Sequence, residues 1–217
     1  MDRGKFITFE GGEGSGKSTQ VKLLAKFLRQ QKIDVIETRE VGGSPAGEEI
    51  RELWLSKGEN HWDALSEVFL IFAARREHLV RTIWPAINSG KWVISDRFVD
   101  STSAYQGVGM DVGLDIISNL YQQIAGDFEP DLTLLLDVPV EVGLARMAAR
   151  HGQDDRYQQK DIAFHKVLRK TYLSLAQKHS YRFEVIDANQ DQHTVAESIE
   201  TAIGIHFKIH ANTRTSA

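Results

Sequence analysis

Between a short β-prone run, Phe6-Ile7-Thr8-Phe9, and an amphipathic stretch lies the octapeptide G-G-E-G-S-G-K-S, Gly11 to Ser18. Nothing else in the chain constrains its fold as tightly. The spacing G-x-x-x-x-G-K-[ST] works when a strand delivers the backbone into a glycine-rich turn and a helix starts directly behind it. Glycines let backbone N–H groups close on phosphate oxygens. Lys17 reaches the β- and γ-phosphates, and the Ser18 hydroxyl suits Mg²⁺. Val21, Leu24, Ala25 and Leu28 fall at helical spacing after Lys17, so the context is met. The helix N-terminus adds its positive dipole end under the phosphates. The loop therefore predicts a nucleoside triphosphate site made by Gly11, Gly12, Glu13, Gly14, Ser15, Gly16, Lys17, Ser18 and Thr19.

Further apolar runs follow at Val35–Thr38, Trp92–Ser95, Leu132–Leu136 and Phe183–Ile186. Their continuity predicts strands buried on both faces, as in a parallel sheet. Helical patterns separate them: about Leu65 to Asn88, one from Val140 behind Pro139, one carrying Phe164, Val167, Leu168, Tyr172 and Leu175, and a last one with Val195, Ile199, Ala202 and Ile203. The expected architecture is α/β, a doubly wound five-stranded parallel sheet. Ligands of such sheets sit beyond the strands' C-terminal ends, where Gly11, Arg39, Asp96 and Asp137 fall. Residues 1–208 are expected to form a single domain, with a polar tail over 209–217.

Bulk properties narrow the function. Lysine and arginine number 26 against 30 acidic residues, a net charge of −4, which argues against a general nucleic-acid binder. The chain has no cysteine, so thiol chemistry and disulfides are excluded. No apolar run has the length of a membrane span, and the N-terminus enters the first strand without a leader pattern. A cytoplasmic enzyme is the expectation.

Charged residues cluster around the predicted ligand edge. Arg39 ends the second strand, where its fork could grip a phosphate or pair with Glu40. Asp96 and Arg97 end the third, suited to Mg²⁺ and its waters and to a transferring phosphoryl group. Gln106 offers both a donor and an acceptor to a nucleobase edge, and Tyr105 could wall a sugar. Phe69, Phe72, Arg75 and Arg76 lie on one predicted helix, as base-stacking and base-binding groups or as core. Arg146, Arg150, His151 and Arg156 crowd a glycine- and charge-rich stretch over about 146–158, which suits a flap closing over a triphosphate or a solvated helix end.

The segments F-E-G-G-E-G-S-G-K-S-T, T-R-E-x-G-G, F-A-A-x-R, D-R-F-x-x-S-x-x-A-Y-Q-G and G-D-F-E-P-D-L-T-L-L-L-D, in this order, resemble bacterial thymidylate kinases from about Lys5 to about His206. The fourth is the most specific, since a phosphate loop alone occurs in many families. The resemblance implies a P-loop NTPase fold with a short lid. It implies transfer of the ATP γ-phosphoryl group to dTMP, giving ADP and dTDP for dTTP synthesis, with Mg²⁺ as cofactor, in a cytoplasmic homodimer. It implies that Glu13 accepts from the dTMP 3′-hydroxyl, that Arg39 and Arg97 hold the dTMP phosphate, and that Asp96 and Ser18 serve Mg²⁺. Phe72 would stack on thymine, Arg76 and Gln106 would address its edge, Ser101 would line the base pocket, and Tyr105 would crowd the 2′ position. Phe69 and Arg75 remain alternatives to Phe72 and Arg76. Gly14 stands where one subclass of the family carries arginine, so the lid would supply the catalytic cation, with Arg150 and Arg156 as candidates beside Lys17 and Arg97. Val41 replaces the family's usual proline, which leaves Arg39 less rigidly placed. Competing readings are a kinase for another nucleoside monophosphate, which would lack A-Y-Q-G after D-R-F, and a regulatory ATPase. No N-K-x-D segment favours a GTPase switch.

Overall fold

The computed structural model describes residues 3–56, 62–149, 157 and 160–209. Five strands, β1 Phe6–Glu10, β2 Val35–Arg39, β3 Trp92–Asp96, β4 Leu132–Asp137 and β5 Phe183–Asp187, form one sheet in the order β2-β3-β1-β4-β5. All four pairings are parallel. The expected sheet is present, with each of the five strands running one residue further than the expected run. That extra residue is Glu10, Arg39, Asp96, Asp137 or Asp187, so the strand ends present charge at the edge where ligands bind. Burial on both faces holds for β1, β3 and β4. The edge strands β2 and β5 are partly exposed, because only one neighbour covers them.

Alternation of side chains along the inner strands divides the core. Ile7, Phe9, Ile94, Leu134 and Leu136 pack against α1 (Lys17–Gln30) and, through Val195, Ile199 and Ile203, against the C-terminal helix Gln192–Phe207. Phe6 and Val93 face the other side, against Leu79, Ile83, Ile87 and Phe98. Burying a Leu- or Phe-sized side chain contributes about 1.5–3 kcal/mol, so these two layers hold the sheet rigid beneath the loops.

The predicted helix from Leu65 to Asn88 is helical throughout but not uniform. It comprises α3 (Ala64–His78), a π-helical turn Leu79–Ile83, and α4 (Trp84–Asn88) with Pro85 near its start. The π-helical turn meets the need that Pro85 creates by lacking an N–H donor. Three helical segments were not expected: α2 (Pro45–Leu55), α5 (Val99–Thr102) running into a π-helical stretch Ser103–Gly109, and α6 (Leu114–Ala125). α7 (Val140–Ala148) and α8 (Ile162–Lys178) lie where the pattern placed them, and α9 is Gln192–Phe207.

Candidate active site

The phosphate loop takes its expected place between β1 and α1. Gly11, Gly14 and Gly16 hold φ of +138°, +67° and +93°, conformations that favour glycine. At Gly14 a Cβ would stand 1.9 Å from the Gly143 carbonyl oxygen, so the loop is packed directly on α7. Gly16 caps α1, leaving that helix's first N–H groups facing the loop. Lys17 Nζ donates to Gly12 O at 2.8 Å and Gly11 O at 3.0 Å. Burial pulls its pKa down to about 8, with Arg97 adding to the effect and Glu13 opposing it. Ser18 Oγ donates to Asp96 Oδ2 at 2.6 Å, which joins the two expected metal-site residues across the sheet.

Arg97, at φ +70°, extends from the end of β3 under the loop. Its Nη2 donates to Glu13 Oε1 at 2.7 Å, and its guanidinium lies 5.0 Å from the Tyr105 ring centroid. Tyr105 also donates to Glu13 Oε1. Burial works against the charge on Arg97, but Tyr105, Glu13 and Tyr172 hold it protonated. Beneath lies a carboxyl that sequence reasoning passed over. Glu10 is fully buried and accepts from Phe98 N at 2.8 Å and Ser101 Oγ at 2.5 Å. Burial pushes it up to about 8, with Asp100 adding to the rise. Ser101 is thus tied to Glu10 and Tyr172, at the floor of the adjoining cavity.

That cavity, of about 460 Å³, opens beside the loop and is lined by Glu13, Arg97, Ser101, Tyr105 and Gln106, all expected at the site. Its other walls correct the expectation on α3. Ile71 and Arg75 line it, whereas Phe72 and Arg76 do not. Residues four apart share a helix face, and the face turned to the cavity carries 71 and 75. Phe72 packs with Val68 and Ile117, Phe69 is exposed, and Arg76 donates to Ile124 O at 2.6 Å while lying over Trp84. Arg75 is buried between Phe72 and Phe98, with Nε on Glu40 at 2.7 Å and Nη2 on Thr102 at 2.8 Å. Its Nη1 is buried without a protein partner.

Arg39 is a second correction. It pairs with Glu48 at 2.8 Å and stays largely exposed, outside the cavity wall. Besides Arg75 and Arg97, the wall takes Arg51 of the unexpected α2, which donates to Val41 O at 2.7 Å. Glu40 turns inward instead of pairing with Arg39, taking Arg75 and His78. The Glu40–Val41 peptide is cis. Arg146 is held by Ala188 O at 2.8 Å. Arg150 and Arg156, with most of the lid expected over 146–158, lie outside the described residues.

Trp54, Arg51 and Tyr157 are cavity residues that sequence reasoning missed. For α2 a signal existed in Ser44-Pro45. Ser44 caps the helix by accepting from Gly47 N at 3.2 Å, and proline occupies its first turn, a standard start signal.

A loop built for a triphosphate thus adjoins a separate cavity whose wall carries three arginines, Arg51, Arg75 and Arg97, beside the apolar Trp54 and Ile71. Comparison with known proteins agrees. The thymidylate kinase family model matches residues 9–199. A thymidylate kinase of Afipia carboxidovorans is 50% identical over 91% of this chain and 87% of that protein. One of Caulobacter vibrioides is 46% identical over 94% of this chain and 97% of its own. The crystal structure of thymidylate kinase from Ehrlichia chaffeensis superposes with a TM-score of 0.77 at 32% identity, covering 93% of this chain and 99% of that one.

Proposed function

The chain belongs to the thymidylate kinase family, and we propose that it transfers the γ-phosphoryl group of ATP to dTMP, with the triphosphate on the loop and dTMP in the 460 Å³ cavity. The observation that carries this is Arg97. One guanidinium touches the loop through Gly11 O and Glu13 and also forms part of the cavity wall, which is where donor and acceptor phosphates must meet.

The acceptor is itself a phosphate anion, so no strong general base is needed. Catalysis is alignment and neutralisation of charge. Lys17 leaves the loop carbonyls for the β- and γ-phosphates. Arg97 and Arg51 hold the dTMP phosphate, with Arg39 one step further out beside Glu48. Glu13, fixed by Arg97 and Tyr105, is placed to accept from the 3′-hydroxyl. Arg75 and Gln106 address the base edge while Ile71 and Trp54 cover its faces. Tyr105, with its hydroxyl on Glu13, crowds the sugar. Arg150 or Arg156 would close over the transferring group from the lid.

Ser18 and Asp96 offer one hydroxyl and one carboxylate side by side. This fits Mg²⁺, which keeps several waters and takes few protein ligands, and they are the residues that would hold it. When bound it would supply positive charge to offset that of the phosphates.

We propose a homodimer as well, through the side of α3 that leaves Leu65 and Phe69 exposed. Light scattering of Phe69→Glu tests it, with a monomer expected. Among the described residues no helix is long and apolar enough to cross a membrane. The cytoplasm, where ATP is pooled, is the proposed location, and nucleic acid is not a proposed partner.

Titration calorimetry tests the division of sites. dTMP should bind Lys17→Ala as it binds the unmodified chain, while ATP binding to that variant is lost. Equal loss of both would contradict it.

A further inference from the structure

One helical turn before Ile71 on α3, behind the cavity wall, sits a buried carboxylate to which the proposed reaction gives no task. Glu67 is 1% exposed and is not itself on the wall. Its Oε1 accepts from Gln106 Nε2 at 3.0 Å and from the Tyr157 hydroxyl at 2.7 Å. Gln106 Nε2 also donates to Tyr157 Oη at 2.8 Å, closing a buried triangle. The Tyr157 ring is wedged against Tyr105, with centroids 4.8 Å apart, and stacked on Phe164, so its hydroxyl has little freedom.

An amide nitrogen can only donate, and here it faces Glu67 Oε1 and Tyr157 Oη, two oxygens on one side of it. A carboxylate offers only acceptors, so turning the Gln106 amide over would set its oxygen against Glu67 Oε1 and leave two acceptors facing each other in a dry site, an expensive arrangement. Gln106 can therefore show the cavity only its carbonyl oxygen. Thr102 and Gln106 are four residues apart, and Arg75 Nη2 is bonded to Thr102. Arg75, whose buried Nη1 has no protein partner, is thus anchored one helical turn from Gln106 on the same cavity wall.

We propose that Glu67, assisted by Tyr157, is a specificity-determining positioning residue. It fixes the orientation of Gln106 so that the cavity presents a donor from Arg75 beside an acceptor from Gln106. This pair matches a base edge with a carbonyl next to a ring N–H, as in thymine and uracil. It opposes cytosine, whose ring nitrogen accepts and whose exocyclic amine donates. The proposal rests on the acceptor reading above and adds the residue that sets its base selectivity.

The test compares kcat/KM for dTMP and dCMP. Glu67→Leu removes the acceptor at similar volume and frees Gln106 to turn. The dTMP-over-dCMP ratio should fall about tenfold, the value of one hydrogen bond gained or lost, through KM for the monophosphate with KM for ATP unchanged. Glu67→Gln, which can still accept, should recover most of the ratio; a purely structural role would instead follow thermal stability. A folded Glu67→Leu protein with unchanged ratio overturns the proposal. Should that variant not fold, hydrogen exchange of the Gln106 side-chain amide in the unmodified protein decides. The Nε2 proton directed at Glu67 should exchange slowly, and exchange of both protons at the rate of an exposed amide overturns it. Absence of dTMP-dependent turnover in the unmodified chain would instead undo the acceptor reading itself.

Discussion

Arg97 Nη2 lies 2.7 Å from Glu13 Oε1, so the turn after β3 is bolted to the phosphate loop by the same cation that faces the acceptor cavity. Backbone and side chain of Arg97 can be separated experimentally, because its φ of +70° is unfavourable for any residue but glycine. Both Arg97→Ala and Arg97→Gly should lose about 100-fold or more in turnover, as expected for removing a preorganised charge from a phosphoryl site. Arg97→Gly should nevertheless be the more stable of the two by about 1 kcal/mol. Denaturant melts and steady-state rates on the pair check this; equal stabilities would mean that the backbone there is not strained.

The two adjacent arginines of α3 should behave oppositely. Arg75→Ala leaves the buried Glu40 carboxylate without its guanidinium, a loss of about 3–5 kcal/mol, and should weaken dTMP binding strongly. Arg76→Ala removes only a bond to Ile124 O and a contact with Trp84. Its KM for dTMP should stay within about twofold, since surface substitutions rarely matter more. A large KM effect at Arg76 would return the base site to the face carrying 72 and 76.

Lys17 makes stability depend on pH in a defined sense. Burial lowers its pKa to about 8 from 10.5, so between those values the unfolded chain holds a proton that the folded chain has released. Raising pH through that window should stabilise the nucleotide-free protein through Lys17 by roughly 3 kcal/mol, and the penalty is fully present below pH 8. Glu10, raised to about 8 from 4.5, acts in the opposite sense, its contribution falling as pH rises from 4.5 to 8. The informative quantity is therefore the difference between the unmodified chain and Lys17→Met, measured by urea unfolding at pH 7.5 and pH 10. The variant should lack the rise; a parallel rise in both would refute the assignment.

Gly14 bears on where the catalytic cation comes from. With φ at +67° and Gly143 O at 1.9 Å from any Cβ, the loop has no room for an arginine at that position. Gly14→Ala should lower the melting temperature by several degrees and weaken ATP binding, since strain of this kind is worth about 1–3 kcal/mol before the clash is counted. Arg150→Ala and Arg156→Ala should reduce kcat far more than either KM. If neither does, the lid does not supply the cation.

How far the sequence carried the reading follows from local physics. The sheet was legible because strands covered on both faces must be continuously apolar, as Leu132 to Leu136 are. The phosphate loop was legible because few residue patterns satisfy its geometry. The face of α3 was not. From Val68 to Ala74 seven consecutive residues are apolar, so no stripe marks a phase, and two arginines in succession fit either of two faces. The structure resolves this by burying Arg75 on Glu40. α2 buries only Gly47 and Trp54, too little for a periodic signal, and Arg51 was lost with it. The buried partnerships of Glu10, Glu40 and Glu67 escaped because nothing in the adjoining sequence marks them. Their roles arise from partners 91, 35 and 39 residues away.

The most direct test of the central claim is ADP release from ATP and Mg²⁺ with dTMP, dUMP, dCMP, dGMP, UMP or no acceptor. The account predicts strong turnover with dTMP, matched mole for mole by dTDP, and little without an acceptor. ADP release that is the same with and without dTMP, with no dTDP formed, would contradict it.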